Sequence, residues 1–255
     1  MLIVAHRGGN PDDVENSARA FAHGIEAGSD LLECDLQCSA SGEIVVYHNT
    51  RYFGAPVHHF STDELRGLIP TLLTFDELLE FLDGIDSGVR LVLDLKTRDT
   101  DRALALYLED DAQSLRALVT STYAFSLRRL KRHFPSLRTG LSRGSLLSRI
   151  PARLHPLAAR TLGRMIAHLM VIEMSLFGLD TAVLNHIIVD ARVVEMFHSR
   201  GMRVYVWTVD SPERARQLHA LGVDYLTSNI PAVIAPMFQE PDQGLPPEWP
   251  ATLHE

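Results

Sequence analysis

Leu2-Ile3-Val4-Ala5-His6, Leu31-Leu32-Glu33-Cys34-Asp35, Ile44-Val45-Val46-Tyr47-His48 and Leu91-Val92-Leu93-Asp94-Leu95-Lys96 are short apolar runs, each closing on a chemically active residue. Runs of this length and composition read as buried strands. Side chains alternate across a strand, so Glu33 and Asp35 share one face, as do Asp94 and Lys96. Helical patterns are interleaved with these strands. Residues 16–27 read as a helix stopped by Gly28, and further helices are predicted near 61–68, 75–83, 101–110, 124–133, 190–199 and 211–220. Additional strands are predicted at 115–121, 137–141, 181–184, 202–207 and 225–227, and Pro231 opens a terminal helix. About eight strands, most joined by helices, predict an α/β fold with a parallel sheet closed into a (β/α)8 TIM barrel. Catalytic groups of such barrels lie at the C-terminal strand ends, where His6, Asp35, His48 and Lys96 fall. A doubly wound sheet is the weaker option, because His6-Arg7-Gly8-Gly9 is not the glycine-rich phosphate loop that fold places after its first strand.

The 255 residues fit one barrel, residues 1–240, followed by a proline-rich tail, 241–255. Hydrophobic residues at 46% and charged residues at 22% supply a core and a hydrated surface. Two cysteines, Cys34 and Cys38, form neither a disulfide framework nor a zinc-ligand pattern. No secretory leader or spanning run is apparent, which predicts a cytoplasmic location.

Charge is segregated. From Ala112 to Ile172 there is no Asp or Glu but eleven Arg and Lys, so the rest of the chain carries −19 against a total of −8. That asymmetry fits an anionic partner or substrate near this half, and equally a basic face packed against acidic neighbours. Residues 142–178 break the simple alternation and read as a helical insertion, apolar on one side and arginine-rich on the other. Such a tract fits peripheral contact with an anionic membrane, a lid, or an ordinary barrel helix. Nucleic acid is not expected, since the chain is acidic overall and lacks an aromatic-basic strand motif.

Three carboxylates, a lysine and two histidines at neighbouring strand ends can make a divalent-metal site flanked by acid/base groups. The duller alternative is a buried network in which Glu33 and Asp35 merely pair with Arg7 and Lys96. The order of motifs bears on this choice. His6-Arg7-Gly8 resembles the H-R-G of the glycerophosphodiester phosphodiesterase family, and Val14-Glu15-Asn16-Ser17 its P-E-N-T. Ala27 to Asp35 is similar to G-A-D-x-x-E-x-D, Val45 to Asn49 to V-V-x-H-D, and Asp94-Leu95-Lys96 to E-x-K. Val206 to Asp210 resembles W-T-V-N, and Gly222 to Pro231 resembles G-V-D-x-x-x-T-D-x-P.

The resemblance implies a metal-dependent barrel that splits a glycerophosphodiester into sn-glycerol 3-phosphate and an alcohol. It assigns Glu33, Asp35 and Asp94 to the metal, His6 and His48 to acid/base work, and Arg7 and Lys96 to phosphate. Glu15 is placed near metal and glycerol, and Trp207 on the substrate wall. A donor set of carboxylates without cysteine favours Mg²⁺ or Ca²⁺ over zinc. Three features depart from the family pattern: Asn49 follows His48 in place of Asp, Asp94 replaces Glu, and the segment from Asn49 to Ile69 is short. The Asp94-Leu95-Lys96-Thr97 run and the short segment also resemble spider-toxin-type phospholipase D enzymes, so a lysophospholipid substrate stays open. A catalytically silent barrel that binds anionic lipid is the other alternative.

Overall fold

The computed structural model describes residues 1–9, 14–85, 89–111, 117–144, 157 and 159–238. Eight parallel strands close on themselves: β1 (Leu2–Ala5), β2 (Leu31–Cys38), β3 (Arg90–Leu95), β4 (Ala117–Ser121), β5 (Arg138–Arg143), β6 (Thr181–Asn185), β7 (Arg203–Trp207) and β8 (Tyr225–Ser228). Closure comes from β1, which pairs with β8 through Leu2↔Tyr225 and with β2 through Val4↔Leu31. The proline-rich tail lies outside the described residues.

Period-two alternation divides each strand between two cores. Val4, Leu31, Val92, Leu118, Val183, Tyr205 and Tyr225 point inward and fill the barrel floor. Their neighbours face the helix ring, where Leu32, Cys34, Leu93, Val119, Leu184 and Val206 pack against helical apolar stripes. The inward positions nearer the C-terminal ends are polar, so the interior passes from packed floor to open mouth along each strand.

Several helices start where capping residues stand. Ser17 accepts from Ala20 N at 3.2 Å and begins α1 (Ala18–Glu26) two residues later than the apolar pattern suggests. Capping boxes built by Ser61 with Glu64 and by Thr74 with Glu77 open α2 (Thr62–Leu68) and α3 (Phe75–Gly84). The ring continues with α4 (Thr100–Asp111), α5 (Ala124–His133), α6 (Arg164–Phe177), α7 (Ala191–His198) and α8 (Pro212–Ala220), and the short α9 (Pro231–Ile234) follows β8.

One strand differs from expectation. Ile44–Val46 is not a barrel stave: it runs antiparallel to β2, with Leu36↔Val46 and Cys38↔Ile44, and is paired on its far side by Leu73–Thr74. Within 142–178, the described helical part is α6 preceded by a π-helical turn at Ala159–Gly163. It forms the long connection from β5 to β6 and packs against α5 and α7; residues 145–156 and 158 lie outside the described set.

Candidate active site

The turn after β1 carries the first group. His6-Arg7-Gly8 forms a single 3-10 turn, in which Arg7 adopts φ +51°. Gly8, at φ +88°, lies so close to α1 that a Cβ would stand 2.5 Å from the Ala20 carbonyl carbon. Only glycine permits that approach, and it fixes where His6 and Arg7 project. Asn16, which precedes α1, also has positive φ and is buried. Its Nδ2 donates to Asp35 Oδ2 at 2.8 Å, and its Oδ1 accepts from Asp35 N at 3.2 Å.

Three carboxylates converge from two adjacent staves. Glu33 and Asp35 project inward from β2, and the register Asp35↔Asp94 sets the third acid beside them. One ligand oxygen from each lies within 4.8 Å of the others. Lys96 Nζ is 2.6 Å from Asp35 Oδ1 and 2.6 Å from Asp94 Oδ2. Arg7 Nε is 3.1 Å from Asp35 Oδ2, while its backbone N donates to Glu33 Oε2 at 2.9 Å. Thr120 Oγ1 on β4 donates to Asp94 Oδ1 at 2.8 Å and pins the acid that β3 contributes.

The electrostatics follow from this arrangement. Burial alone would push the Asp35 carboxyl up, but Lys96 and Arg7 outweigh it and hold the group at about 2. Asp94 and Asp35 raise the Lys96 ammonium against the opposing effect of burial. Glu33 goes the other way: burial, then the Asp35 charge, push it well above the carboxylate range. Among the described residues Glu33 has no ion-pair partner, and three carboxylates face only two side-chain cations here. The donor set, all oxygen and one positive charge short, fits a hard divalent cation.

Two imidazoles flank the acids. His6 Nδ1 lies 2.6 Å from Asn229 Oδ1, and Asn229 Nδ2 donates to Asp210 Oδ2 at 2.8 Å. A carboxylate only accepts, so the Asn229 amide must turn its NH2 to Asp210 and its carbonyl to His6. His6 therefore carries its proton on Nδ1, leaving the Nε2 lone pair available. Burial, then Arg7, lower its pKa below 6.5. His48 arrives on the loop after the antiparallel strand and not at a stave end as expected. Gln37 Nε2 holds that loop through the carbonyls of Tyr47 and Asn49, at 2.6 and 3.0 Å. His48 Nδ1 lies 3.1 Å from Asn49 Oδ1, and burial lowers its pKa too, with Asp35 partly opposing.

A cavity of about 270 Å³ opens at this end of the barrel. His6, Arg7, Glu33, His48, Asp94, Lys96 and Trp207 line it, so seven of the nine residues singled out in the sequence border one space. Asp35 is fully buried just beneath, tied to Lys96 and Arg7. Glu15 sits to the side and pairs with Arg7 Nη1 at 2.5 Å. The hydroxyl-bearing residues Thr120, Thr122, Ser142, Tyr205 and Thr227 also line the cavity. Among the described residues, the buried Trp207 indole Nε1 has no hydrogen-bond partner. Asn16, Thr120, Asp210 and Asn229 are positioning residues that motif reading did not single out; Asn16 and Asn229 sit inside quoted motifs, but only the three-dimensional contacts reveal their partners.

The chain is thus a TIM barrel whose mouth gathers three inward carboxylates and two histidines. The chain matches the glycerophosphoryl diester phosphodiesterase family over residues 6–233 and belongs to it. A glycerophosphodiester phosphodiesterase of Caldanaerobacter subterraneus subsp. tengcongensis is 26% identical over 257 residues, covering 91% of this chain and 96% of that protein. Two solved structures share the fold. A glycerophosphodiester phosphodiesterase from Parabacteroides distasonis superposes with a TM-score of 0.74 at 21% identity, covering 92% of this chain and 95% of its own. An Oleispira antarctica phosphodiesterase in complex with its product sn-glycerol-3-phosphate gives 0.74 at 19% identity, covering 92% and 96%.

Proposed function

We propose that this protein hydrolyses glycerophosphodiesters to sn-glycerol 3-phosphate and an alcohol, with one divalent cation, Mg²⁺ or Ca²⁺, held by Glu33, Asp35 and Asp94. The observation that carries the reading is the convergence of those three acids beside two imidazoles and two cations on one cavity. When bound, the cation supplies Lewis-acid stabilisation of a phosphoryl oxygen. Arg7 and Lys96 offer fixed positive donors to the remaining oxygens, where charge grows in the transition state. His6 and His48 carry the proton traffic: one accepts from the attacking hydroxyl, the other gives to the departing oxygen. The Asp210–Asn229–His6 chain keeps His6 in the tautomer that presents a basic Nε2. Trp207 forms an apolar side of the pocket, and Glu15 orients Arg7.

The test is choline release from glycerophosphocholine and from lysophosphatidylcholine, with Mg²⁺ and with Ca²⁺. Turnover of the deacylated substrate is expected, and His6→Ala or His48→Ala should each lower kcat by about 10²–10⁴ while leaving metal-induced thermal stabilisation in place. Preference for lysophosphatidylcholine would transfer the assignment to lysophospholipids. Failure of both substrates with both metals would remove the hydrolase reading.

A further inference from the structure

We infer that the outward face of α6, together with the adjoining part of α5, is a docking surface for an anionic lipid membrane. A helix in a barrel ring needs one apolar stripe, and α6 has two. Ala167, Met170, Val171 and Met174 are buried against the barrel. Met165, Leu169, Ile172 and Leu176 recur at i, i+4, i+7 and i+11, so they stack along the opposite face. Those four and Phe125 of α5 are each between 55% and 71–72% exposed. The stripe runs about 16 Å along the helix. Contiguous exposed apolar surface of this kind marks an interaction site.

The charges around the stripe identify the occupant. The one acid on α6, Glu173, is neutralised by Arg143 at 2.8 Å. The Phe125 ring packs 5.1 Å from that of Phe177, and the Arg128 guanidinium lies 4.9 Å over the Phe177 ring. Arg132 follows one turn later on α5 and is exposed; among the described residues neither Arg128 nor Arg132 has an ion-pair partner. Of the arginines expected along this tract, Arg164 pairs with Asp190 at 3.2 Å, while Arg149 and Arg153 lie outside the described residues; the outward face of α6 is apolar, and the unpaired cations beside it sit on α5. Apolar side chains flanked by unpaired arginines match the boundary between acyl chains and anionic headgroups. A second copy is the poorer occupant, because two-fold pairing of this face would bring Arg128 and Arg132 toward their own mates. Contact is peripheral, since no described helix is long and apolar enough to cross a membrane. In addition, α6 follows the C-terminal end of β5, so its first turn lies on the mouth side of the barrel.

Co-sedimentation with vesicles tests this directly, using phosphatidylcholine alone and phosphatidylcholine mixed with phosphatidylglycerol. The full chain should sediment with the mixed vesicles and remain in solution with the neutral ones. Leu169→Ser with Ile172→Ser should lower partitioning at least about tenfold. Arg128→Gln and Arg132→Gln should each lower it about fivefold, with the dependence on salt reduced. The double variant and both arginine variants should keep the parent's thermal midpoint and its turnover of soluble glycerophosphocholine, so this inference can fail while the assigned reaction stands. Absence of binding to mixed vesicles overturns it, as does binding that the Leu169 and Ile172 changes leave untouched. A concentration-dependent dimer abolished by Leu169→Ser would assign the face to a second copy and overturn it equally.

Discussion

Lys96→Met tests whether the acidic cluster is a cation seat or only a buried ion-pair network. Methionine keeps most of the lysine stem and removes the charge, so packing changes little. What is lost is a pair of contacts, at 2.6 Å each, to Asp35 and Asp94. Removing one member of a buried ion pair costs about 3–5 kcal/mol, because the partner is left charged and uncompensated. The lower end applies here: Arg7 still reaches Asp35 at 3.1 Å, and the Asp94 side chain retains some solvent contact. At roughly 2–4 °C per kcal/mol for a domain of this size, about 3 kcal/mol lowers the thermal midpoint in chelator by roughly 6–12 °C. Mg²⁺ or Ca²⁺ at a hundred times its dissociation constant then restores about 2.7 kcal/mol, nearly the whole loss. At a given metal concentration the gain should exceed the parent's, because no ammonium repels the ion. Thermal melts followed by circular dichroism, with chelator and across a metal titration, give all four quantities without any activity measurement. A variant as stable as the parent in chelator would refute the electrostatic reasoning. A destabilised variant that metal does not rescue more than the parent would leave the ion-pair network as the better description.

Two further perturbations probe the groups around the cluster. Thr120→Val removes the hydroxyl that pins Asp94 at 2.8 Å while preserving side-chain shape; loss of such a support costs about tenfold in metal affinity. The metal concentration for half-maximal turnover should therefore rise by that factor with saturated kcat nearly unchanged, and an unshifted titration would show that Asp94 needs no such support. For pH, burial and then Arg7 depress the His6 pKa, so the unfolded chain binds this proton more readily than the folded one. The resulting stability is fully present above pH 6.5 and is lost as pH falls through the depressed folded value. Urea midpoints measured downward from about pH 8 should decline across that window, and His6→Gln should flatten the decline; equal slopes would place the titrating group elsewhere.

The fold was legible because its signals are local. Short apolar runs, capping residues and stop glycines mark each element within a few positions, as at Ser17 and Gly28 around α1. Ile44-Val45-Val46 shows where local signals stop: composition alone does not separate a parallel stave from an antiparallel flank, since both are buried on two faces. His48 reached the site all the same, because the antiparallel strand continues alongside β2 and Gln37 holds the loop. The positioning residues were hidden for a different reason. Asn229 meets His6 across 223 positions of sequence, and Thr120 meets Asp94 across 26. A neutral amide or a single hydroxyl in a strand has no periodic signature, and its role exists only through its partner.

Charge balance links the resting site to its chemistry. Arg7 and Lys96 occupy the carboxylates in the structure, yet the proposed reaction requires the same two cations to face a phosphoryl group. These demands conflict only while the acids lack another countercharge. With all three acids ionised, two side-chain cations would leave the cluster at −1, a charge that burial relieves by pushing Glu33 up, and a divalent cation that draws all three acids into the ionised form brings the cluster to +1, ready for a monoanionic diester. Arg7 and Lys96 thus hold the acids together without metal and have no surplus charge for an anion until metal is present. Diester affinity and metal affinity should consequently be coupled through these two residues, a linkage that is reciprocal by thermodynamic necessity. The same balance explains why the chain tolerates a left-handed backbone at both Arg7 and Asn16. Each such conformation costs on the order of 1–3 kcal/mol. One aims a guanidinium at Asp35 and the other clamps that acid from behind, and without both the most deeply buried charge of the site would be held by Lys96 alone.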